Sequence, residues 1–559
     1  MSNDLKQKTF ELIDDIKKAI HNLGESGGAN ELEYITHIFL YKFLNDKFIF
    51  EVKKIFKQHS KEFESYNLNS EDENFVSDLS SLDEKEYDYI FNFLSGNVPK
   101  LKKNHLLENL YKKINNENFV DELDQVFEEI AELNKEIFST KLKTGKKIPT
   151  FNLSIRRKLE DVEEERINPF AVSLINPLIK INFEKMFSEG FDFFSDIYEY
   201  LIDDYNKDGG GKYAEYFTPN SVSKIIANVM VPEEVKNVEC YDPAAGTGTL
   251  LMHLANKIGI ENCSIYAQDQ QRKSIKLMGF NFILNGLVSS INNTVQENTI
   301  TDPYFKDKNK LKKFDYIVSN PPFKLDFSEY RDKLTADIYS KRFFAGIPKI
   351  KPKKPESMEI FLLFIQHIIY SLKPGGKAAI VVPTGFLSNK SGIELEIKKY
   401  LIDNNFLDGV IAMPRNIFAT TGTIVSILFI NKEKQGNEIR LVNAESFGEL
   451  EKLKVDNKQV EKIKLSLEDS EKIISLFKTD KLIEKKAVSV SKEEIIKTGY
   501  YFSPLVYLPI DSEHEEISKH DLSELISNTL KNLNDYSSKS KKLDLEIEKM
   551  LKEIKFDNE

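Results

Sequence analysis

Residues 315–323 read Asp-Tyr-Ile-Val-Ser-Asn-Pro-Pro-Phe, and the chemistry lies in the last four. Asn320 offers a side-chain amide, Asn320 and Pro321 offer backbone carbonyls, and Phe323 offers an aromatic face. That set suits a flat amine. The amide oxygen and a carbonyl accept its two hydrogens, and the ring stacks on the heterocycle. Pro321 and Pro322 have no N–H and a fixed φ, so the turn is rigid and neither sheet nor helix continues through it. Asp315–Ser319 centre on Tyr-Ile-Val and predict a buried parallel strand that stops at the turn. Open α/β sheets place their ligands at such strand ends. The same tetrapeptide also serves as a plain structural turn, so its context decides.

A second set follows an earlier strand. Tyr241-Asp242-Pro243-Ala244-Ala245-Gly246-Thr247-Gly248-Thr249 runs into a helix at Leu250. Ala244, Gly246 and Gly248 let a ligand approach the backbone, and the helix start offers free N–H groups. The dinucleotide fingerprint fails after Gly248 and the lysine of a P-loop is missing, which argues against nucleoside triphosphates. Asp242 suits a cationic amine or a hydroxyl better than a pyrophosphate, which favours S-adenosylmethionine. The next strand, Ser264–Ala267, ends in Gln268-Asp269, and Asp269 is placed to accept both ribose hydroxyls. Asn298–Asp302 is a third strand-end candidate, flanking the adenine. Upstream, Tyr213–Ser221 precedes a helix, with Thr218 as N-cap, Pro219 at the first helical position and Glu215 nearby. Its two aromatics, Tyr216 and Phe217, equally fit a hydrophobic staple.

The elements that must hold these residues can be read from periodicity. Leu12, Ile13, Ile16 and Ile20 share a helical face ahead of a glycine-rich break at Gly24–Gly28. Helical patterns resume at Glu31–Phe56, Leu106–Ile114, Phe119–Leu133 and Ile181–Tyr205. From Asn237 to about Lys432 short strands alternate with helices. The strands are Val238–Tyr241, Ser264–Ala267, Phe314–Ser319, Ala378–Val382, Phe406–Ala412 and Thr423–Ile430, predicting a doubly wound, largely parallel sheet. The expected organisation is a helical N-terminal domain (1–205), an α/β core (206–435), a mixed extension (436–515) and a C-terminal helix (516–559). That helix carries Leu543, Ile547, Met550, Leu551 and Ile554 at heptad-like spacing, for packing on its own domain or on a partner helix.

With 559 residues the chain exceeds one core. It is 41% apolar and 30% charged, with no apolar run long enough for a membrane span and a polar Met1–Lys8 unlike a secretory signal. Cys240 and Cys263 lack metal-ligand spacing; a reducing cytoplasm and no metal are expected. A net charge of −11 argues against gripping DNA phosphates alone over a broad surface. Lys341-Arg342 with Lys349, Lys351, Lys353 and Lys354 form either a groove wall or a solvated loop.

The turn at Asn320–Phe323 resembles motif IV of the amino-methyltransferases, and Asn before Pro-Pro favours the adenine N6 version. With Glu215–Asn220, Asp242–Thr249 and Asp269 in order, the chain resembles the modification (M) subunit of Type I restriction–modification systems. The similarity runs from the helical domain through Lys432 and includes Leu372–Lys377, Val381–Phe386 and Val410–Phe418. Gly248-Thr249 stand where some members have Ala-Gly, and Asp269 stands where Glu is common. The resemblance implies a Rossmann-like, S-adenosylmethionine-dependent DNA methyltransferase forming N6-methyladenine. Asn320, Pro321, Pro322 and Phe323 are then catalytic. Glu215, Tyr216, Phe217, Thr218, Pro219, Asn220, Asp242, Ala244, Gly246, Thr247, Gly248, Thr249 and Asp269 hold the cofactor. It further implies a specificity (S) subunit that reads the double-stranded DNA, a second M copy in a complex of two M and one S, and a restriction (R) subunit that can join. A glutamine-N5 protein methyltransferase uses the same grip, but is shorter and typically has Tyr at the place of Phe323. A non-catalytic assembly subunit is the reading from a different class.

Overall fold

The computed structural model describes residues 2–24, 29–66, 68–142, 147–149, 151–189, 191–208, 218–308, 310–336, 341–418, 423–455, 458–479, 482–483, 485–508 and 519–553. The chain divides into two compact units, Met1–Leu508 and Pro509–Glu559.

The first unit begins with helices, among them Ser2–Leu23, Ala29–Gln58, Phe119–Leu133, Glu164–Ile175 and Phe191–Asp208. The apolar stripe of the first faces inward, with Leu12, Ile13, Ile16 and Ile20 all buried, while Ala29–Gln58 is buried on nearly every side through its middle. The first helix ends as the periodicity predicts, just before Gly24, whose φ of 94° an L side chain rarely adopts.

The strands are β1 (Ser139–Leu142), β2 (Lys147–Pro149), β3 (Val238–Asp242), β4 (Cys263–Asp269), β5 (Thr294–Gln296), β6 (Lys306–Asp307), β7 (Lys310–Leu311), β8 (Phe314–Ser319), β9 (Leu372–Pro383), β10 (Leu407–Ala412), β11 (Val425–Asn431), β12 (Glu438–Asn443), β13 (Glu449–Val455), β14 (Lys458–Lys464) and β15 (Ala487–Ser491). An 11-stranded sheet runs β15-β12-β10-β11-β9-β8-β3-β4-β5-β1-β2, while β6–β7 and β13–β14 are separate hairpins. The stretch from β9 through β8, β3, β4 and β5 to β1 is parallel. Beyond it the sheet is mixed, because β11 runs antiparallel to both β9 and β10. Every predicted strand is present. The edges that the sequence did not announce come from β1 and β2 on one side and β12 and β15 on the other.

The side chains alternate faces with the period of a strand. Cys240, Ile265, Val318 and Val381 point into a core that continues into the N-terminal helices. Tyr241, Ile317, Ile380 and Val382 point into a second core under the helix Phe361–Ser371. Each such Val or Ile contributes about 1.5–3 kcal/mol by leaving water. The helical region docks on the helix Arg272–Leu284, where Phe39 meets Phe280 edge-on at 6.3 Å and Tyr198 donates to the Leu277 carbonyl at 3.3 Å. From β3 the chain proceeds to β4 and β5 on one side, and from β8 to β9 on the other. The carboxyl ends of β3 and β8 therefore flank a topological switch point, where a crevice opens.

In the second unit the helix Lys519–Glu553 exposes Ile526, Leu530, Leu533, Leu543 and Ile547. Ile554 lies outside the described residues.

Candidate active site

Two loops, one from each side of the switch point, build the site. After β3 the backbone turns at Gly246 (φ 52°) and Gly248 (φ 79°) and enters the helix Thr249–Ile258. A Cβ on Gly248 would stand 2.7 Å from Met278 Cγ and 2.8 Å from Phe282 Cε1. Glycine is thus required both by the φ and by the close packing of the helix behind the loop. The Asp269 carboxylate, at the end of β4, accepts from the Gly246 N–H at 2.9 Å and the Gln271 N–H at 2.8 Å, tying the loop to the neighbouring strand. Asp242 Oδ1 accepts from the Ala244 N–H at 2.9 Å and from Ser319 Oγ at 2.8 Å. Burial pushes the Asp242 carboxyl up to about 7, against the hydrogen bonds from Ala244 and Ser319, with the Asp269 charge adding to the rise. Asp269 is pushed up to about 6, again by burial and against its two backbone donors.

The second loop leaves β8 at Asn320. Its Nδ2 donates to Thr218 Oγ1 at 3.2 Å, which leaves Oδ1 to accept from elsewhere. Pro321 is buried, Pro322 is exposed, and Phe323 is half-buried with its ring edge-on to Phe361 at 6.3 Å. One cavity of about 590 Å³ joins the two loops, lined by Asp242, Ala244, Gly246, Thr247, Thr249 and Asp269 on one side and Asn320–Phe323 with Thr218 on the other. Asn298, Thr299 and Ile300 close a third wall. Asn298 Oδ1 accepts from the N–H groups of Ile300 (2.9 Å) and Thr301 (3.3 Å), and Thr299 Oγ1 donates to the Pro243 carbonyl at 2.6 Å.

Other expected residues are not all found at the cavity. Glu215, Tyr216 and Phe217 lie outside the described residues. Thr218 is not the helix cap: the helix Asn220–Met230 has Pro219 at its cap, and the Thr218 hydroxyl serves Asn320. Asn220 works between helices, donating to the Ser195 carbonyl at 3.3 Å and meeting His253 Nε2 at 3.0 Å. Neither Pro219, Asn220 nor Gly248 lines the cavity. Arg342 is not on the surface; it is 2% exposed and bonded to the carbonyls of Thr299 and Ile300. Lys341, Lys349, Lys351, Lys353 and Lys354 are exposed.

Sequence reasoning missed Ser319, read only as a strand residue, and the wall formed by Glu359, Phe361, Pro383, Phe386 and Phe418. Pro383 closes β9 and Phe418 lies a few residues beyond β10, so strand ends were the available signal.

The family model "N-6 DNA Methylase" matches residues 189–516. The chain is 26% identical over 576 residues to the Type I restriction enzyme MpnII methylase subunit of Mycoplasma pneumoniae, covering 99% of this chain and 97% of that protein. It is 30% identical over 384 residues to the MjaIX methylase subunit of Methanocaldococcus jannaschii, covering 66% and 64%. Its fold matches the crystal structure of a type I restriction-modification methyltransferase subunit from Streptococcus thermophilus, with a TM-score of 0.68 at 21% identity over 90% of this chain and 98% of that one.

Proposed function

We infer the reaction and its machinery from one premise: the chain belongs to the N-6 DNA methylase family. It is an adenine-N6 DNA methyltransferase, the methylase subunit of a type I restriction–modification system. The observation that carries the assignment of residues is that the Asp242–Thr249 loop with Asp269 and the Asn320–Phe323 turn open into one cavity.

The donor set of that cavity fits S-adenosylmethionine. Among the described residues that line it, Asp242, Asp269, Glu359 and Glu394 stand against one cation, Lys324, a balance that favours a positively charged ligand and repels a phosphate. Asp242 would hold the cationic amino acid end. Asp269 would take the ribose hydroxyls on lone pairs that its two backbone donors leave unused, and Asn298–Ile300 would flank the adenine. When bound, S-adenosylmethionine supplies the methyl group, on a positively charged sulfur, that N6 of the target base receives.

The chain's residues prepare the acceptor. The target adenine must leave the duplex, because its N6 lone pair is delocalised into the ring and shielded by stacking. Asn320 Oδ1 and the Pro321 carbonyl accept the two amino hydrogens, drawing the lone pair out of the ring. Thr218 fixes the amide with its Nδ2 turned away from the base. Phe323 stacks on the extruded ring, a contact that tyrosine can replace and alanine cannot. Positioning and preorganised acceptors supply most of the acceleration.

Double-stranded DNA is the substrate in this reading. An S subunit reads the target, a second copy of the chain completes a complex of two M and one S, and an R subunit can join. The net charge of −11 fits a chain that shares its DNA grip with partners. The helical N-terminal region is assigned to subunit and DNA contacts, and the helix Lys519–Glu553 to docking on S. A cytoplasmic location follows from the substrate; no helix among the described residues is long and apolar enough to cross a membrane.

Nucleoside mass spectrometry of host DNA, native against Asn320→Ala, tests the reading. Loss of N6-methyladenine from one two-part sequence is expected. Unchanged adenine methylation in a strain with no second adenine methyltransferase would overturn the assignment of Asn320.

A further inference from the structure

The basic loop that follows the Asn320 turn sends one of its charges inward. Lys341 is exposed, and so are Lys349, Lys351, Lys353 and Lys354, but Arg342 is 2% exposed. Its Nη1 donates to the Thr299 carbonyl at 3.3 Å and its Nη2 to the Ile300 carbonyl, while the guanidinium lies 4.3 Å from the centre of the Phe343 ring. Thr299 in turn donates to the Pro243 carbonyl, inside the loop that leaves β3. An unbroken line therefore runs from the loop after the target-base turn, through Arg342 and Thr299, to the loop that begins at Asp242.

The surroundings keep that charge in place. Ile300, Phe327, Leu334, Phe343, Met358, Ile360 and Phe364 pack into one apolar cluster around the contact. Within the loop Ala345 N–H donates to Gln366 Oε1 at 2.8 Å and Gln366 Nε2 donates to the Gly346 carbonyl at 3.0 Å, anchoring the segment on the helix Phe361–Ser371. Buried His367, on the same helix, is held well below its ordinary pKa by burial, with Arg342 and Lys313 adding to the effect, so it brings no second positive charge to the contact. A buried charge is costly unless its hydrogen bonds are made, and two carbonyl acceptors in a fixed fork are what a guanidinium satisfies and an ammonium satisfies only in part.

We propose that Arg342 is a positioning residue for the cofactor: it clamps the Asn298–Ile300 wall of the cavity from the loop that carries the exposed lysines. The proposal rests on the cofactor reading of that cavity. Arg342 touches neither cofactor nor base. It acts through the backbone of Thr299 and Ile300, so its removal loosens one wall and leaves Asn320–Phe323 as they are. Hydrogen bonds from a charged donor are the stronger kind, and losing this pair should weaken cofactor binding about tenfold or more.

The test is isothermal calorimetry of the purified full-length chain with S-adenosylhomocysteine, for wild type, Arg342→Met and Arg342→Lys, with melting temperatures in parallel. Expected are a Kd raised about tenfold in Arg342→Met and a smaller rise in Arg342→Lys, since one ammonium reaches one carbonyl well. In the assembled enzyme the KM for S-adenosylmethionine should rise in the same order while the KM for DNA stays within about twofold. A folded Arg342→Met chain that binds as wild type does would overturn the proposal and leave the cofactor reading standing. If Arg342→Met does not fold, Arg342→Lys decides by the same comparison. A wild-type chain that fails to bind S-adenosylhomocysteine would overturn both.

Discussion

Ser319 Oγ donates to Asp242 Oδ1 at 2.8 Å, joining the last residue of β8 to the last residue of β3. The residue after Ser319 is Asn320, and the residues after Asp242 form the glycine loop. Beyond the parallel pairing of β3 with β8, this hydrogen bond thus ties the turn assigned to the base to the loop assigned to the cofactor. It also helps keep Asp242 ionised, since it opposes the rise that burial imposes. Replacing Ser319 with alanine should therefore do two things. It should push the Asp242 carboxyl higher still, and it should weaken S-adenosylmethionine binding by about 1 kcal/mol, roughly fivefold, at neutral pH. Calorimetric affinities for the two proteins check this, and equal values would detach Ser319 from the cofactor site.

The two raised carboxyls predict a pH dependence with a definite sign. Asp242 at about 7 and Asp269 at about 6 both stand above the ordinary 3.8 that they regain on unfolding. The folded chain therefore holds more protons than the unfolded chain between roughly pH 4 and 7, and this contribution to stability falls as pH rises through that window. Ligand binding runs the other way. A cationic ligand favours the ionised carboxylates, so affinity for S-adenosylmethionine should rise up to about pH 7 and level off above it. Titrations across this range, on the wild type and on Asp242→Asn, measure the effect. A flat wild-type profile would mean that Asp242 does not meet the cation and Asp269 does not meet the ribose.

Asn320 and Thr218 should separate catalysis from binding. Asn320→Ala removes the acceptor of the amino hydrogens, and losing one preorganised group of this kind costs on the order of a hundredfold to a thousandfold in kcat. Cofactor affinity should be unchanged. Thr218→Val leaves the amide present but unheld, for a kcat loss of about tenfold. Single-turnover methylation of a DNA duplex carrying the target reads both, and the Thr218 variant at full rate would show that the 3.2 Å contact does not orient the amide.

Gly248→Ala should cost stability before it touches chemistry. The left-handed φ and the contacts with Met278 and Phe282 together predict a loss of about 2–4 kcal/mol, read as a lowered melting temperature. Gly436 also has a positive φ (75°) but open space around its Cβ position, so Gly436→Ala should cost only the φ penalty and serves as the control.

How far the sequence reaches can be seen at individual residues. Phe314–Ser319 and Phe119–Leu133 form as predicted because each carries an unambiguous apolar pattern with a clear stop. The three-residue β5 carries too little pattern to announce itself, and β12 and the edge strand β15 lie in the mixed extension, where strand and helix signals interleave. The motif residues Asp242, Gly246, Asp269 and Asn320 come together because strand ends converge at the switch point, which alternation alone foretells. Thr218 reads as a cap because its local preference is all that the sequence displays. Its hydroxyl is claimed by a residue about a hundred positions later. Arg342 sits in a run of lysines and so reads as surface, although the carbonyls of Thr299 and Ile300 draw it inside. Local patterns fix elements, and such long-range polar pairings become visible only once the elements are placed.

The helix Lys519–Glu553 carries an apolar stripe that should bind a partner. Ile526, Leu530 and Leu533 recur at spacings of four and three, as do Leu543 and Ile547 at four, and all five are more than half exposed. A stripe of that spacing on a long helix is the pattern that buries against another helix. A buried leucine at such a contact contributes about 1.5–3 kcal/mol, so Leu530→Glu with Leu543→Glu should weaken association with the S subunit by about a hundredfold or more. Because neither residue belongs to the set assigned to the cofactor, the affinity of the chain for S-adenosylmethionine should not change. Light scattering on co-purified subunits, paired with calorimetry on the single chain, reads the two effects separately. An intact complex in the double variant would place the S contact on the helical N-terminal region instead.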